Sequence, residues 1–309
     1  MTKHQRASSA LWAELDSAEP NERGAMLAQL FHSLVEDESD DLFTVGMTAI
    51  DELEFIQDFD TCFEVAQKLS ERMTAAERFD ECADLIEGML QLEHWVDRFA
   101  AGMLRWNYAF NSHQQNKFEN AANEYLEAFN TFEECHTTAR AYVLHARANC
   151  LNELGNVNEA TTPLTESIAL FEEEGTMSCV ANGKRDLGNI YVDNGDFAIG
   201  ARYLQDAITI YEFLGWGTTR QKCLVSLGRA QTALGSYADA KSTLEAATSI
   251  RDSDLSRQGT VEALFYLAEL MTAQGFQEEA EREYARIVPL LTACSSPELA
   301  ELASLRANH

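Results

Sequence analysis

A turn recurs along this chain with a fixed period, and that period constrains the fold more than anything else in the sequence. Gly155 in LGNVNEA, Gly195 in NGDFAIG, Gly235 in LGSYADA and Gly275 in QGFQEEA stand 40 residues apart. Upstream, Asn116 in NKFENAA and Glu77 in ERFDECA continue the series at spacings of 39. Five positions after each turn residue comes a small one: Cys82, Ala121, Ala160, Gly200, Ala240 and Ala280. Ahead of the turns, Leu187-Gly188, Leu227-Gly228 and Leu267-Ala268 keep the same frame. A period of this length means a repeat architecture, in which each unit buries its apolar face only against its neighbours.

The unit from Lys184 to Leu214 shows what is repeated. Leu187, Gly188 and Tyr191 fall on one face of a 3.6-residue period. Asn194-Gly195-Asp196 then breaks the helix, supplying a residue tolerant of left-handed backbone and an N-cap acceptor. Gly200, Leu204, Ala207, Ile208 and Tyr211 mark a second helix, which Gly215 closes. A glycine inside a helix costs about 1 kcal/mol against alanine, so Gly188 predicts that another helix backbone presses on that point. Four prolines and the absence of alternating strand patterns predict an all-α chain.

These residues resemble the tetratricopeptide repeat. Its pattern of a large residue, Leu-Gly, Tyr, then a small and a large residue in the second helix matches Leu187-Gly188-x-x-Tyr191 with Gly200 and Leu204. Leu227-Gly228 with Ala240 and Leu244 matches nearly as well; Leu267-Ala268, Ala148-x-x-Leu151, Tyr108-Ala109 and Leu69-Ser70 carry looser versions. The departures are a period of 40 rather than 34, no proline ending the second helix, and Arg147 at a position normally apolar. Forty-residue versions look like those of kinesin light chains, spindle-orientation scaffolds and bacterial regulators. The resemblance implies a right-handed α-solenoid, a superhelix of stacked antiparallel helix pairs. Residues 62–294 form six repeats, 1–61 a diverged helical cap or degenerate repeat, and 295–309 a capping helix and tail. Within the cap, helices are expected over Glu22–Glu36 and Leu42–Phe55, with EDESDD as the turn between them. Ser295-Ser296-Pro297 is expected to cap and open a last helix over Glu298–Arg306. Residues 1 to about 8 are expected to be disordered, and Ala10–Leu15 a short helix carrying Trp12.

Composition removes whole function classes. Fifty-one acidic against 23 basic residues leave a net charge of −28, which argues against nucleic acid and against anionic membrane surfaces. A DNA-binding helix-turn-helix in the N-terminal pair fails on the same ground. Every long apolar stretch is broken by charge, so no membrane span is expected. MTKHQRASSALWAEL lacks an apolar leader core. Seven cysteines without a C-x-x-C suit reduced thiols, and a cytoplasmic protein is expected.

Signatures of chemistry are missing as well. The chain contains no G-x-x-x-x-G-K-[ST], H-E-x-x-H or G-x-S-x-G. His113 and His145 are expected near each other on adjacent first helices, with Cys150 a turn on, too few ligands for a structural metal site. No enzyme, no metal and no cofactor are expected.

In the resembled family the first helices line a concave groove. Carried onto this chain, that implies a peptide-binding set of Trp106, Asn107, Phe110, Tyr142, His145, Asn149, Asn182, Arg185, Asn189, Lys222 and Arg229. The same positions bring in His113, Gln114 and Glu153. Asn149 and Asn189 hold equivalent places, and an amide can both donate to and accept from a peptide backbone. The aromatic residues lie at one end and Arg185, Lys222 and Arg229 in the middle, a pattern suited to a peptide with an apolar anchor and an acidic group. Packing between neighbouring repeats is the competing role for the aromatic residues. The resulting expectation is a non-catalytic scaffold or adaptor binding a protein or peptide segment. A regulator responsive to a signalling peptide and a self-associating structural subunit are the alternatives. The oligomeric state stays open.

Overall fold

The repeated turn closes one helix and opens the next by a single backbone device. At Gly195 φ is +88°. The Gly195 N–H donates to Val192 O (3.1 Å) and the Asp196 N–H to Tyr191 O (2.8 Å), the two bonds of a Schellman motif. Glu77 and Asn116 take the same left-handed place at φ 57°. There the Arg78 N–H donates to Met73 O (2.9 Å) and the Lys117 N–H to Ser112 O (3.0 Å). Left-handed backbone costs a residue with a β-carbon about 1–2 kcal/mol. Glu77→Gly is therefore expected to raise the unfolding free energy by about 0.5–1 kcal/mol once the added chain entropy of glycine is subtracted. Urea melts measure this, and a less stable variant would contradict it.

The computed structural model describes residues 15, 17–37, 41–134, 136–250, 254–294 and 296–307. Among them run fifteen α-helices and no strand. They are α1 (Pro20–Asp37), α2 (Leu42–Phe55), α3 (Phe59–Ala75), α4 (Phe79–Leu90), α5 (Arg98–Gln114), α6 (Phe118–Thr131), α7 (Thr137–Glu153) and α8 (Val157–Glu173). There follow α9 (Met177–Asp193), α10 (Phe197–Leu214), α11 (Gly217–Ala233), α12 (Tyr237–Ser249), α13 (Asp254–Ala273), α14 (Gln277–Ala293) and α15 (Pro297–Arg306). Residues 1–14, with the expected disorder and all but Leu15 of the expected short helix, lie outside the described residues, as do 38–40 of the acidic turn, Cys135 and Ser295.

The chain divides into two units, Met1–Asn156 and Val157–His309. In the first, each of α1 to α7 packs on its neighbour in sequence, and α3 also meets α5, first helix on first helix. Leu27, Phe31, Leu53, Phe63, Leu69, Met73, Ile86 and Tyr125 are among its large, fully buried side chains. In the second, α8 to α15 pack in the same serial way, with α9 on α11 and α11 on α13. Its core runs through Leu204, Tyr211 and Leu227 and on to Phe265, Tyr284 and Leu291.

Gly188 and Gly200 explain the tightness of the α9–α10 pair. A β-carbon on Gly188 would lie 2.8 Å from Leu204 Cγ and 3.1 Å from the Leu204 backbone nitrogen. One on Gly200 would lie 2.8 Å from the carbonyl oxygen of Gly188. The two helices touch backbone to backbone, as the repeat pattern predicts.

The capping chemistry differs from expectation. Asp196, Asp41 and Ser296 occupy N-cap positions, yet none accepts a capping hydrogen bond through its side chain. Asp196 instead accepts from Asn194 Nδ2 at 3.2 Å. A side-chain cap forms best when the N-cap backbone is extended. Asp97, with ψ 160°, accepts from the Ala100 N–H at 2.8 Å. Asp58, with ψ 72°, accepts from the Thr61 N–H at a longer 3.3 Å. Asp196 (ψ 55°) and Asp41 (ψ −9°) form no side-chain cap.

Candidate binding face

In the first unit the candidate residues lie on α5 and α7. Trp106 and Tyr142 meet across these helices as a stacked pair, ring centroids 5.9 Å apart at 23°. Phe110, one turn beyond Trp106, is 43% exposed and Tyr142 40%. Asn107 is committed elsewhere: its Nδ2 donates to Gln67 O (3.0 Å) and Ser70 Oγ (2.9 Å) on α3. It ties first helix to first helix and has no donor left for a ligand. His145 and Asn149 are half-buried on α7, and the Asn149 amide makes no hydrogen bond with a described residue.

Toward the C-terminal ends of the same two helices the surface opens into a cavity of about 340 Å³. His113, Gln114, Asn116, Phe118 and Glu153 line it. His113 stands edge-on to Phe118 and Tyr125, at 5.6 and 6.2 Å between centroids. Cys150 Sγ lies 3.6 Å from His113 Nδ1. Burial pushes the His113 pKa below its ordinary value, and Glu153 pulls it back only in part. Burial, with the Glu153 charge, pushes the Cys150 thiol up to about 11. Both groups are therefore neutral at pH 7. No group of three or more potential metal ligands occurs among the described residues. His113, Gln114 and Glu153 belong to the expected groove set and Asn116 to the expected turn series; Phe118, which stands edge-on to His113 just after that turn, is the lining residue the repeat pattern does not single out.

In the second unit the candidates lie on α9 and α11. Asn182 Oδ1 accepts from Tyr211 Oη (2.7 Å) and from Arg185 Nη1 (3.3 Å). Arg185 Nε donates to Asp186 Oδ1 at 2.7 Å. Burial works against the Arg185 charge, and Asp186 more than restores it. Arg229 Nη2 donates to Asp193 Oδ1 at 3.1 Å, and its guanidinium sits 5.3 Å from the Tyr266 ring centre. Two of the three expected cations are thus already paired. Lys222 is exposed and makes no ion pair with a described residue. Asn189 differs from Asn149: its Oδ1 is enclosed by protein and receives no hydrogen bond from a described residue.

Comparison with known proteins gives a family and a fold. The family model described as "Soluble NSF attachment protein, SNAP" matches residues 100–289, more than half of the chain. No curated protein matches the sequence. Among solved structures, the apo form of RapI is similar at a TM-score of 0.62 and 10% identity, over 97% of this chain and 94% of that one. The quorum sensor NprR from B. thuringiensis, also in its apo form, aligns at 0.60 and 10% identity, covering 94% and 83%. A Rap protein complexed with competence and sporulation factor aligns at 0.56 and 12% identity, covering 91% and 80%. At such identities the likeness is one of fold, an all-helical array of tetratricopeptide-like repeats.

Proposed function

The chain belongs to the soluble NSF attachment protein family, and we propose that it is a non-catalytic adaptor holding a segment of a partner protein against its first helices. One observation carries the reading. The ring pair Trp106–Tyr142 and exposed Phe110 offer apolar surface on the same helices as an amide, Asn149, that makes no hydrogen bond with a described residue. Monomeric surfaces expose aromatic residues singly; a contiguous group next to uncommitted hydrogen-bonding capacity suits a partner. Asn107 and Asn182, whose amides serve the fold, drop from the binding set to supporting roles. The reading keeps 62–294 as the repeats, 1–61 as a diverged cap and 295–309 as the terminal cap.

Losing one amide contact and leaving its mate in the ligand unpaired costs about 1–3 kcal/mol, or five- to over a hundredfold in affinity. Asn149→Ala is therefore expected to weaken partner binding by that range without lowering the melting temperature. Asn156→Ala, in an inter-helix turn, should leave binding alone. Affinity capture of the partner followed by titration against these variants measures it; normal binding by the Asn149 variant would end the reading.

A second reading has its own support. The similar Rap structure is described as complexed with competence and sporulation factor, and NprR as a quorum sensor. If this chain were likewise a receptor for a free signalling peptide, its hydrodynamic radius would change on adding one. An adaptor would keep its radius and co-purify with a large partner.

A further inference from the structure

Resting on the adaptor reading, we infer that the α5–α7 face selects an extended segment in which a basic residue follows an apolar anchor by three to five positions, the basic head group entering the cavity at Glu153. The apolar anchor follows from Trp106, Tyr142 and Phe110. The basic preference follows from the cavity beyond them. Glu153 is the one acid among its five lining residues, burial keeps His113 neutral, and Cys150 beside His113 stays a thiol. The remaining walls suit a guanidinium or ammonium group: the Phe118 ring for its flat or apolar side, and the carbonyl oxygens of Gln114 and Asn116 as acceptors.

The spacing is set by helix geometry. Trp106 and His113 are seven residues apart on α5, about 10 Å at 1.5 Å per residue. Tyr142 and Glu153 are eleven apart on α7, about 16 Å by the same rise. An extended segment advances ~3.3 Å per residue, so its anchor and its cation are three to five residues apart. Asn149 lies between the ring pair and the acid, placed to meet the intervening backbone. Two of the three cations that favoured an acidic ligand, Arg185 and Arg229, are already paired, and none of the three lies on α5 or α7. The choice of a basic ligand also agrees with a net charge of −28.

The test titrates the labelled full chain with three peptides while following the Trp106 indole and His113 imidazole resonances. They are acetyl-Leu-Ser-Ser-Ser-Arg-amide, the same peptide with citrulline for arginine, and acetyl-Ser-Ser-Ser-Ser-Arg-amide. Both resonances are expected to shift saturably with the first peptide. Citrulline, which keeps the shape and loses the charge, should bind about fivefold more weakly, the worth of one partly enclosed ion pair. Glu153→Gln should bring the arginine peptide down to the citrulline level and leave the citrulline peptide unaffected. If arginine and citrulline peptides bind alike while Trp106 still responds, the basic-residue assignment is wrong and the adaptor reading stands. If Trp106 responds to none of the three, both fall.

Discussion

Gly188→Leu is expected to lower the unfolding free energy by about 3 kcal/mol or more, the upper end of the cost of overpacking. The reason lies in what the new side chain would meet. Its first atom alone comes within 3.1 Å of the Leu204 backbone nitrogen, and backbone cannot rotate away as a side chain can. Gly200→Leu should cost at least as much, since its β-carbon would press on the Gly188 carbonyl oxygen at 2.8 Å. Gly228→Leu should cost less: its nearest neighbours at 2.5 Å are side-chain atoms of Leu244, which have other rotamers. Gly88 is the control. Nothing lies within 4 Å of a β-carbon there, so Gly88→Ala should stabilise by about 0.5–1 kcal/mol through helix propensity and unfolded-state entropy. Equal melting of the Gly188 and Gly88 variants would refute backbone contact as the basis of the repeat.

Trp106→Ala is expected to weaken partner binding by about thirtyfold or more, the 2 kcal/mol that marks a dominant interface residue. Tyr142→Ala should act in the same direction through the same ring pair. The competing role for these rings is packing between α5 and α7, and the two roles separate on stability. Tyr142 is 40% exposed, so its truncation removes little core and should leave the melting temperature within a few degrees of wild type. Truncating Tyr125, which is fully buried, should instead unfold the unit by about 3–5 kcal/mol. A Trp106 variant that melts like a core deletion yet binds normally would assign the pair to packing.

Backbone periodicity was the legible part of this sequence. Leu42–Phe55 and Pro297–Arg306 stand where the pattern places helices, and every turn residue of the series has left-handed backbone. The turn at Gln57, φ 61°, lay outside that series, since glutamine carries no turn signal of its own. Less legible was what each polar side chain does. Asn107 and Asn149 look alike in sequence, yet one binds Gln67, 40 residues back, and the other makes no hydrogen bond with a described residue. Arg229 finds Asp193, 36 residues earlier. Such partners are set by which helices lie side by side and by the local rotamers, and a pattern of apolar spacing records neither. The caps failed for a related reason: an aspartate at a boundary caps best when its ψ is extended, as at Asp97, and the tight turn at Asp196 holds its ψ at 55°.

Site-specific photo-crosslinking tests the central claim, that partners bind along the first helices, most directly. A benzophenone amino acid replaces Phe110 on α5 in one sample and Phe213, 83% exposed at the end of second helix α10, in another. Both positions are open to solvent, so reactivity alone does not favour either. The account predicts a partner crosslink at 110 that Trp106→Ala abolishes, and none at 213. A crosslink to the partner at 213 and none at 110 would contradict it.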